Sequence, residues 1–145
     1  KNMKTVYKEK IIPYLASDMY SLVANISSYP DFVPYCHSTI IEKDSEKEVV
    51  ASIELNFHGI IKKFTTTNAM VPSETISMKL KGGPLESLNG KWVFKQLSAT
   101  SSKITLHIEY EVSNNIYAAV ADTVIAKVSN DILMAFVSRA GQVYG

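Results

Sequence analysis

Most of the chain alternates between apolar and polar residues, a pattern typical of β-strands with one buried face. A first strand is predicted over residues 2–12, where Pro13 ends it. Six more strands are predicted over residues 37–43, 48–57, 60–70, 76–81, 88–95 and 104–112. Short turns such as His58-Gly59 and Gly82-Gly83-Pro84 separate them, so neighbouring strands are expected to run antiparallel.

The last part of the chain changes to a helical period. Apolar residues recur at every fourth position as Ile116, Val120, Val124, Val128, Ile132 and Phe136. This row predicts one long helix over residues 116–140, with Ser113, Asn114 and Asn115 as N-cap candidates and Gly141 as the C-cap. Such a helix would be roughly 37 Å long, enough to cross a small sheet.

Two short helices are predicted between the first and second strands. Ser17 is the expected N-cap of the first, and Pro30 with Asp31 suits the first turn of the second, which Pro34 ends. Together these elements predict an α+β fold in which the long helix covers the apolar face of a curved antiparallel sheet. At 145 residues the chain is expected to be a single domain, residues 1–145.

Composition narrows the class of protein. The chain is 46% hydrophobic and 20% charged, with a net charge of +1, so no global charge attracts nucleic acid or membranes. One cysteine, Cys36, excludes an intrachain disulfide and fits a reducing compartment. Lysines interrupt the apolar residues near the start, and no stretch reaches the roughly 20 apolar residues that span a bilayer. A cytoplasmic protein is therefore expected.

Catalytic and metal-binding patterns are absent from the sequence. His37, His58 and His107 show no metal-ligand spacing, and Cys36 has no His/Asp partners that would make it a nucleophile. No phosphate-binding glycine loop, nucleophile elbow or H-E-x-x-H motif occurs. We therefore expect no metal, no catalytic residue and no enzymatic activity.

The apolar faces of the predicted strands and helix would lie against each other. This pattern favours a filled core, and the alternative is a cavity that encloses an apolar ligand. Thr66, Asn68 and Tyr110 would supply the few polar groups of such a cavity. The predicted lining comprises Phe32, Phe57, Phe64, Thr66, Met78, Trp92, Phe94, Leu106, Ile108, Tyr110, Val120, Val124, Val128 and Ile132.

The opposite face of the predicted sheet is rich in lysine. The alternation places Lys63, Lys79, Lys81, Lys91 and Lys95 away from the helix, on strands expected to be neighbours. These residues form either a solvated face or a basic patch for the phosphates of RNA or anionic lipid. Lys91 is expected near Glu109, which would neutralise part of the patch. Few aromatic residues accompany the lysines, so base-specific readout and DNA binding are not expected.

Four motifs occur together and in order along the chain. They are Tyr29-Pro30-Asp31-Phe32-Val33-Pro34-Tyr35-Cys36, Phe64-Thr65-Thr66, Gly83-Pro84-Leu85 leading to Leu88-x-Gly90-x-Trp92-x-Phe94, and Ala135-Phe136-x-x-Arg139-Ala140-x-x-Val143-Tyr144. In these motifs the chain resembles the coenzyme Q-binding branch of the START-like (polyketide cyclase/dehydrase and lipid transport) superfamily. Leu85 departs from the pattern, because the family usually has Phe after Gly-Pro.

The resemblance implies a helix-grip fold with an apolar tunnel between sheet and helix. It implies non-catalytic binding of a polyprenyl quinone such as ubiquinone, or of a similar lipid, in support of respiration, with transient contact at the inner membrane. Bacterial members of the branch imply a rival activity, in which a toxin binds the large ribosomal subunit and hinders subunit association. A third reading is an aromatase/cyclase-type enzyme, for which the chain offers only scattered hydroxyls and Asn68.

Overall fold

The computed structural model describes residues 3–112 and 115–145. It contains seven strands in one sheet of order β1-β7-β6-β5-β4-β3-β2, and every neighbouring pair is antiparallel. The strands are β1 (Lys4–Ile12), β2 (Cys36–Asp44), β3 (Glu48–Phe57), β4 (Ile60–Val71), β5 (Thr75–Gly82), β6 (Ser87–Gln96) and β7 (Ser102–Glu111). The predicted strands and their antiparallel pairing are thus confirmed.

The turns form where the sequence predicts them. His58 and Gly59 both have positive φ, 51° and 86°, as a two-residue type I′ hairpin requires. In the turn between β4 and β5, Ser73 has a φ of 63° after Pro72, and the Glu74 amide donates to the Val71 carbonyl at 3.0 Å.

The sheet is curved, so that both of its edges contribute to one core. Ile12 on edge strand β1 is 2% exposed, and Ile41 on edge strand β2 packs against the same group of buried residues. The register shifts twice along β2 and once between Thr65 and Thr66 on β4, and such irregularities bend a sheet. Lys62, which the alternation places on the apolar face, is exposed close to the start of β4.

Two short helices follow β1: α1 (Ala16–Ala24) and α2 (Tyr29–Phe32), joined by a 3₁₀ turn over Ile26–Ser28. The prediction that Ser17 caps α1 is wrong, because Ser17 lies inside the helix and accepts a hydrogen bond from the Ser21 hydroxyl on its carbonyl. Instead the Gln96 side chain, at the end of β6, accepts the amide proton of Ala16 at 2.8 Å. A tertiary contact therefore supplies the cap.

The long helix α3 spans Asn115–Tyr144. Of its predicted N-caps, Ser113 and Asn114 lie outside the described residues. The prediction that Gly141 ends the helix is wrong, since the helix continues for three more residues. The Tyr14 hydroxyl lies 3.4 Å from where a Cβ of residue 141 would be, and the Tyr144 hydroxyl donates to the Asp18 carbonyl at 3.4 Å. Contacts with the N-terminal segment thus accompany the last turn.

Candidate functional site

The inner face of the sheet, which faces α3, is tightly packed beneath the C-terminal half of that helix. Trp92, Phe94 and Leu106 are only 4%, 4% and 3% exposed. The Phe136 ring lies 5.5 Å from the Trp92 ring and 5.5 Å from the Phe32 ring, both in edge-to-face contacts. These residues of the predicted cavity lining therefore belong to a filled core, which we call the closed end.

At the other end of the inner face, apolar side chains stay partly exposed. Phe57, Phe64, Val124 and Val128 belong to this group, and they lie outside the cluster of core residues. Leu55, Leu80 and Leu88, which the sequence analysis had missed, share both properties and face inward by register. We call these seven residues, five on the sheet and two on α3, the open end, because they stay partly exposed and lie outside the core cluster.

The boundary between the two ends carries the remaining predicted residues. Met78, Ile108 and Ile132 are partly buried and pack against the core, and Thr66 is partly buried beside them. Met78 also explains a glycine in the motif around Trp92. A Cβ at position 90 would lie 2.6 Å from the Met78 methyl carbon, so any other residue there would make the end of the Met78 side chain move.

Val120 departs from its predicted place in the lining. Its side chain is 62% exposed, whereas Phe136 in the same row is fully buried. The reason is helical geometry: four residues turn an α-helix by about 400°, so a row of every fourth residue drifts around the helix by roughly 40° per step. Val120 has therefore moved to the solvent side, while Val124 and Val128 stay partly buried.

Two tyrosine–aspartate hydrogen bonds tie α3 to the sheet and its flank. On β7, the hydroxyl of buried Tyr110 donates to Asp122, and Lys4 of β1 lies 3.6 Å from the same carboxylate. Before β2, the Tyr35 hydroxyl donates to Asp131 at 2.5 Å. Asp122 and Asp131 are nine residues apart, which places them on roughly opposite sides of the helix. We call these two contacts the tethers.

The tethers perturb the groups that form them. Burial and the hydrogen bond to Asp122 raise the pKa of Tyr110 well above its usual range. The hydrogen bond to Asp131 raises the pKa of Tyr35, and the hydrogen bonds from Tyr35 and Lys127 lower the pKa of Asp131. Tyr35 also has a φ of 68°, a left-handed conformation that is costly for an aromatic residue and aims its side chain at α3.

Of the three polar groups predicted for the cavity, Asn68 differs from the others. It is 3% exposed on the inner face of β4, opposite Met78, and its Oδ1 has no hydrogen-bond partner among the described residues. Tyr110, by contrast, is engaged by Asp122. An unpaired buried carbonyl is costly, so Asn68 marks a place where a donor from outside the protein would be stabilised.

The outer face of the sheet carries the predicted lysines. Lys63, Lys79, Lys81, Lys91 and Lys95 are all exposed there, and none forms an ion pair with a described residue. The predicted proximity of Lys91 to Glu109 is only diagonal, because His107 stands opposite Lys91 and Asn89 stands opposite Glu109. Glu54 stands directly opposite Lys63, so acidic side chains still accompany the basic patch.

A groove of about 460 Å³ runs across this outer face. Small residues such as Thr67, Ala69 and Ser77 form its floor, and Lys79 and Lys91 line it together with His107. The alternation of the strands did not predict this groove, because alternation shows on which face of the sheet a residue lies but not how deep that surface is. Glu48 and Glu109 also line the groove, so its charge is mixed.

Further sites for metal or nucleophilic chemistry are not evident in residues 3–112 and 115–145. No group of three or more metal-ligating side chains occurs there. Cys36 packs against the core, where burial raises the pKa of its thiol and so opposes formation of a thiolate. No helix of the described residues is long and apolar enough to cross a bilayer.

Comparisons with known proteins agree with this architecture. Residues 12–137 match the family described as polyketide cyclase / dehydrase and lipid transport. The ribosome association toxin RatA of Vibrio cholerae is 34% identical over 143 residues, with 99% of each chain covered. A more distant relative is the mitochondrial coenzyme Q-binding protein COQ10 homolog B of Xenopus laevis, 22% identical, with 95% of this chain and 58% of that protein covered.

Solved structures share the fold at low sequence identity. The Zhui aromatase/cyclase from Streptomyces sp. R1128 superposes with a TM-score of 0.89 at 16% identity, covering 97% of this chain and 95% of that one. A START superfamily protein from Mycobacterium smegmatis superposes with a TM-score of 0.83 at 16% identity, covering 96% and 98%. The fold is thus the helix-grip fold, and the chain belongs to the polyketide cyclase/dehydrase and lipid transport family.

Proposed function

We propose that this protein binds an apolar small molecule, without catalysis, between the sheet and the N-terminal half of α3. The observation that carries this proposal is the open end, in which five apolar side chains on the inner face of the sheet and two on α3 stay partly exposed. Apolar surface inside a fold is unfavourable unless something covers it, and a ligand would do so. The relative named as a coenzyme Q-binding protein makes a polyprenyl quinone the first candidate ligand.

The absence of catalysis is part of the proposal. Two aspartates of α3 are committed to the tethers, where Asp122 and Asp131 accept hydrogen bonds from Tyr110 and Tyr35. An acid/base pair directed at a substrate would be needed for cyclase chemistry. The remaining polar group, Asn68, can hold a ligand but cannot transfer protons at ordinary pH.

Titration with a short-chain ubiquinone tests the proposal. The chain has one tryptophan, Trp92, in the core beside the boundary residues, so quenching of its fluorescence reports binding nearby. Val128→Trp would fill the open end and is expected to abolish binding, although its second indole requires isothermal titration as the readout. Val120→Trp is the matched control, because this position is 62% exposed about two helical turns before Val128.

The proposal fails if neither titration nor organic extraction of protein purified from its native source detects a quinone or lipid. It also fails if Val120→Trp and Val128→Trp weaken binding equally. Both variants should first be shown to melt cooperatively, so that loss of binding is not loss of fold.

A second candidate function is association with the large ribosomal subunit through the outer face. Relatives named ribosome association toxins cover the full length of the chain, and the unpaired lysines around the outer groove favour contact with RNA phosphates. We expect co-sedimentation with large subunits that weakens as salt rises. Lys79→Glu/Lys91→Glu should weaken it further, whereas Lys8→Glu/Lys10→Glu on edge strand β1 makes the same charge change elsewhere. Equal effects of the two pairs would remove the outer groove from this function.

A further inference from the structure

The tip of the β3–β4 hairpin exposes two adjacent isoleucines. Ile60 is 61% exposed and Ile61 is 51% exposed, directly after the His58-Gly59 turn. The tip is a rigid projection rather than a loose loop, because the turn is type I′ and the Gly59 amide donates to the Asn56 side chain at 2.9 Å. Two large apolar side chains are thus held out in solvent at one point of the molecule.

Lysines directly follow these isoleucines. Lys62 and Lys63 are exposed, and neither forms an ion pair with a described residue. The β5–β6 loop lies alongside, since a Cβ on Gly83 would be 3.3 Å from the Lys63 carbonyl, and it follows exposed Lys81. The chain carries no acidic residue between Glu54 and Glu74. Strand β4 is therefore apolar at the hairpin tip and basic just behind it, and Glu54 of β3 stands opposite Lys63.

The tip belongs to the same end of the sheet as the open end. Phe57 pairs with Ile60, and Leu55 pairs with Lys62. These two residues of the open end are therefore immediate neighbours of the tip. Phe64 lies two residues beyond Lys62 on the same face of β4. Any molecule entering the open end from the hairpin side passes these isoleucines and lysines.

We propose that this hairpin tip docks the protein on the surface of a bilayer that contains anionic lipids. Ile60 and Ile61 enter the boundary between headgroups and acyl chains, while Lys62 and Lys63 contact lipid phosphates. This inference rests on the proposed function, because docking brings the open end to the medium in which an apolar ligand is dissolved. RNA would suit the lysines but offers no apolar layer for the two isoleucines.

Sedimentation of the full-length chain with phospholipid vesicles tests the docking. We expect binding to vesicles that contain phosphatidylcholine and about 30% anionic phosphatidylglycerol. Binding to vesicles of phosphatidylcholine alone should be weak. Ile60→Ser/Ile61→Ser should lower partitioning about tenfold or more, since each isoleucine loses its apolar burial. Lys62→Gln/Lys63→Gln should remove the preference for anionic vesicles.

The control variant is Ile11→Ser/Ile40→Ser, which changes two isoleucines of similar exposure, 65% and 55%, on the edge strands away from the tip. Equal loss of vesicle binding in the control and the tip variant would overturn the proposal. Failure of the wild-type protein to bind anionic vesicles would also overturn it. So would tip variants that bind vesicles as wild type does and differ only in weaker co-sedimentation with ribosomes.

Failure of docking can be told apart from failure of ligand binding. Quinone titration in vesicle-free buffer measures the open end alone, and the tip variants should bind there as wild type does. Wild-type protein that binds vesicles but not quinone would contradict the proposed function while leaving the docking surface in place. Protein that binds quinone but not vesicles would contradict the docking alone.

Discussion

At the scale of single residues, Asn68 carries the clearest conflict between stability and function. Its buried Oδ1 lacks a partner among the described residues, and such a group costs about 1–3 kcal/mol. Leucine has a similar size and no polar atom. Leucine at this position would therefore remove the free-energy cost of the unpaired oxygen. It would also remove the acceptor that a ligand's hydroxyl group would use.

We predict that Asn68→Leu raises the free energy of unfolding of ligand-free protein by about 1–2 kcal/mol while weakening binding of a hydroxyl-bearing ligand such as a reduced quinol. Urea unfolding and isothermal titration measure the two effects. Ser102→Ala is the control, since the Ser102 hydroxyl is also buried without a partner among the described residues, 1% exposed at the start of β7. Destabilisation by Asn68→Leu would show that the amide is satisfied in solution.

At the scale of elements, the tethers predict that the two halves of α3 differ in stability. The C-terminal half is locked by Phe136 and Ala140, both fully buried, whereas residues 120–128 contain no fully buried side chain and Asp122 among them is held by Tyr110. Tyr110→Phe should therefore accelerate amide hydrogen exchange in residues 120–128, by roughly tenfold for a lost hydrogen bond of about 1–2 kcal/mol.

The comparison for this variant is Tyr29→Phe, which removes a hydroxyl that donates to the Val23 carbonyl within the helical insert. It should lower global stability without selectively accelerating exchange in residues 120–128. Uniform acceleration along α3 in Tyr110→Phe would mean that the helix opens as one unit and that the tethers have no local role.

The same elements show how much of the structure could be predicted from the sequence. Strand alternation identified the sheet, its turns and the faces of Phe57 and the outer lysines, because a period of two maps directly onto two faces. The helical row misplaced Val120, since a spacing of four departs from the true period of 3.6. The cap of α1 and the end of α3 depend on Gln96 and Tyr14, which are distant in sequence, so no local pattern predicts them. The tethers were missed for the same reason.

At the scale of the whole molecule, the tethers should make the free energy of unfolding fall at both acid and alkaline pH. The pKa of Asp131 is lowered from its ordinary value of 3.8, so its contribution to stability is present above that pH and is lost as pH falls further. The pKa values of Tyr35 and Tyr110 are raised from 10.0, so their contribution is complete below pH 10.0 and is lost as pH rises through the raised values.

We therefore predict that Tyr35→Phe/Tyr110→Phe lowers the free energy of unfolding at pH 7 and flattens its fall between pH 9 and pH 12, relative to wild type. Urea unfolding at a series of pH values gives the pH dependence of the free energy of unfolding for the variant and for wild type. A double variant that loses stability with pH as steeply as wild type would assign the alkaline transition to other groups, such as buried Tyr29.

The molecule as a whole also separates its surfaces by charge in a way that the net charge of +1 conceals. The outer face presents lysines around a groove that Glu48 and Glu109 also line, the inner face carries the partly exposed side chains of the open end, and the hairpin tip adjoins that end. A protein built in this way can meet a polyanion and an apolar ligand through different sides of one sheet.

The spacing between the two tether aspartates limits how this chain can change over generations. Nine residues separate Asp122 from Asp131, and one inserted residue would rotate the second carboxylate by about 100° away from Tyr35. Insertions and deletions should thus be tolerated in the exposed β5–β6 loop but rejected between these two positions, where substitutions alone remain open to evolution.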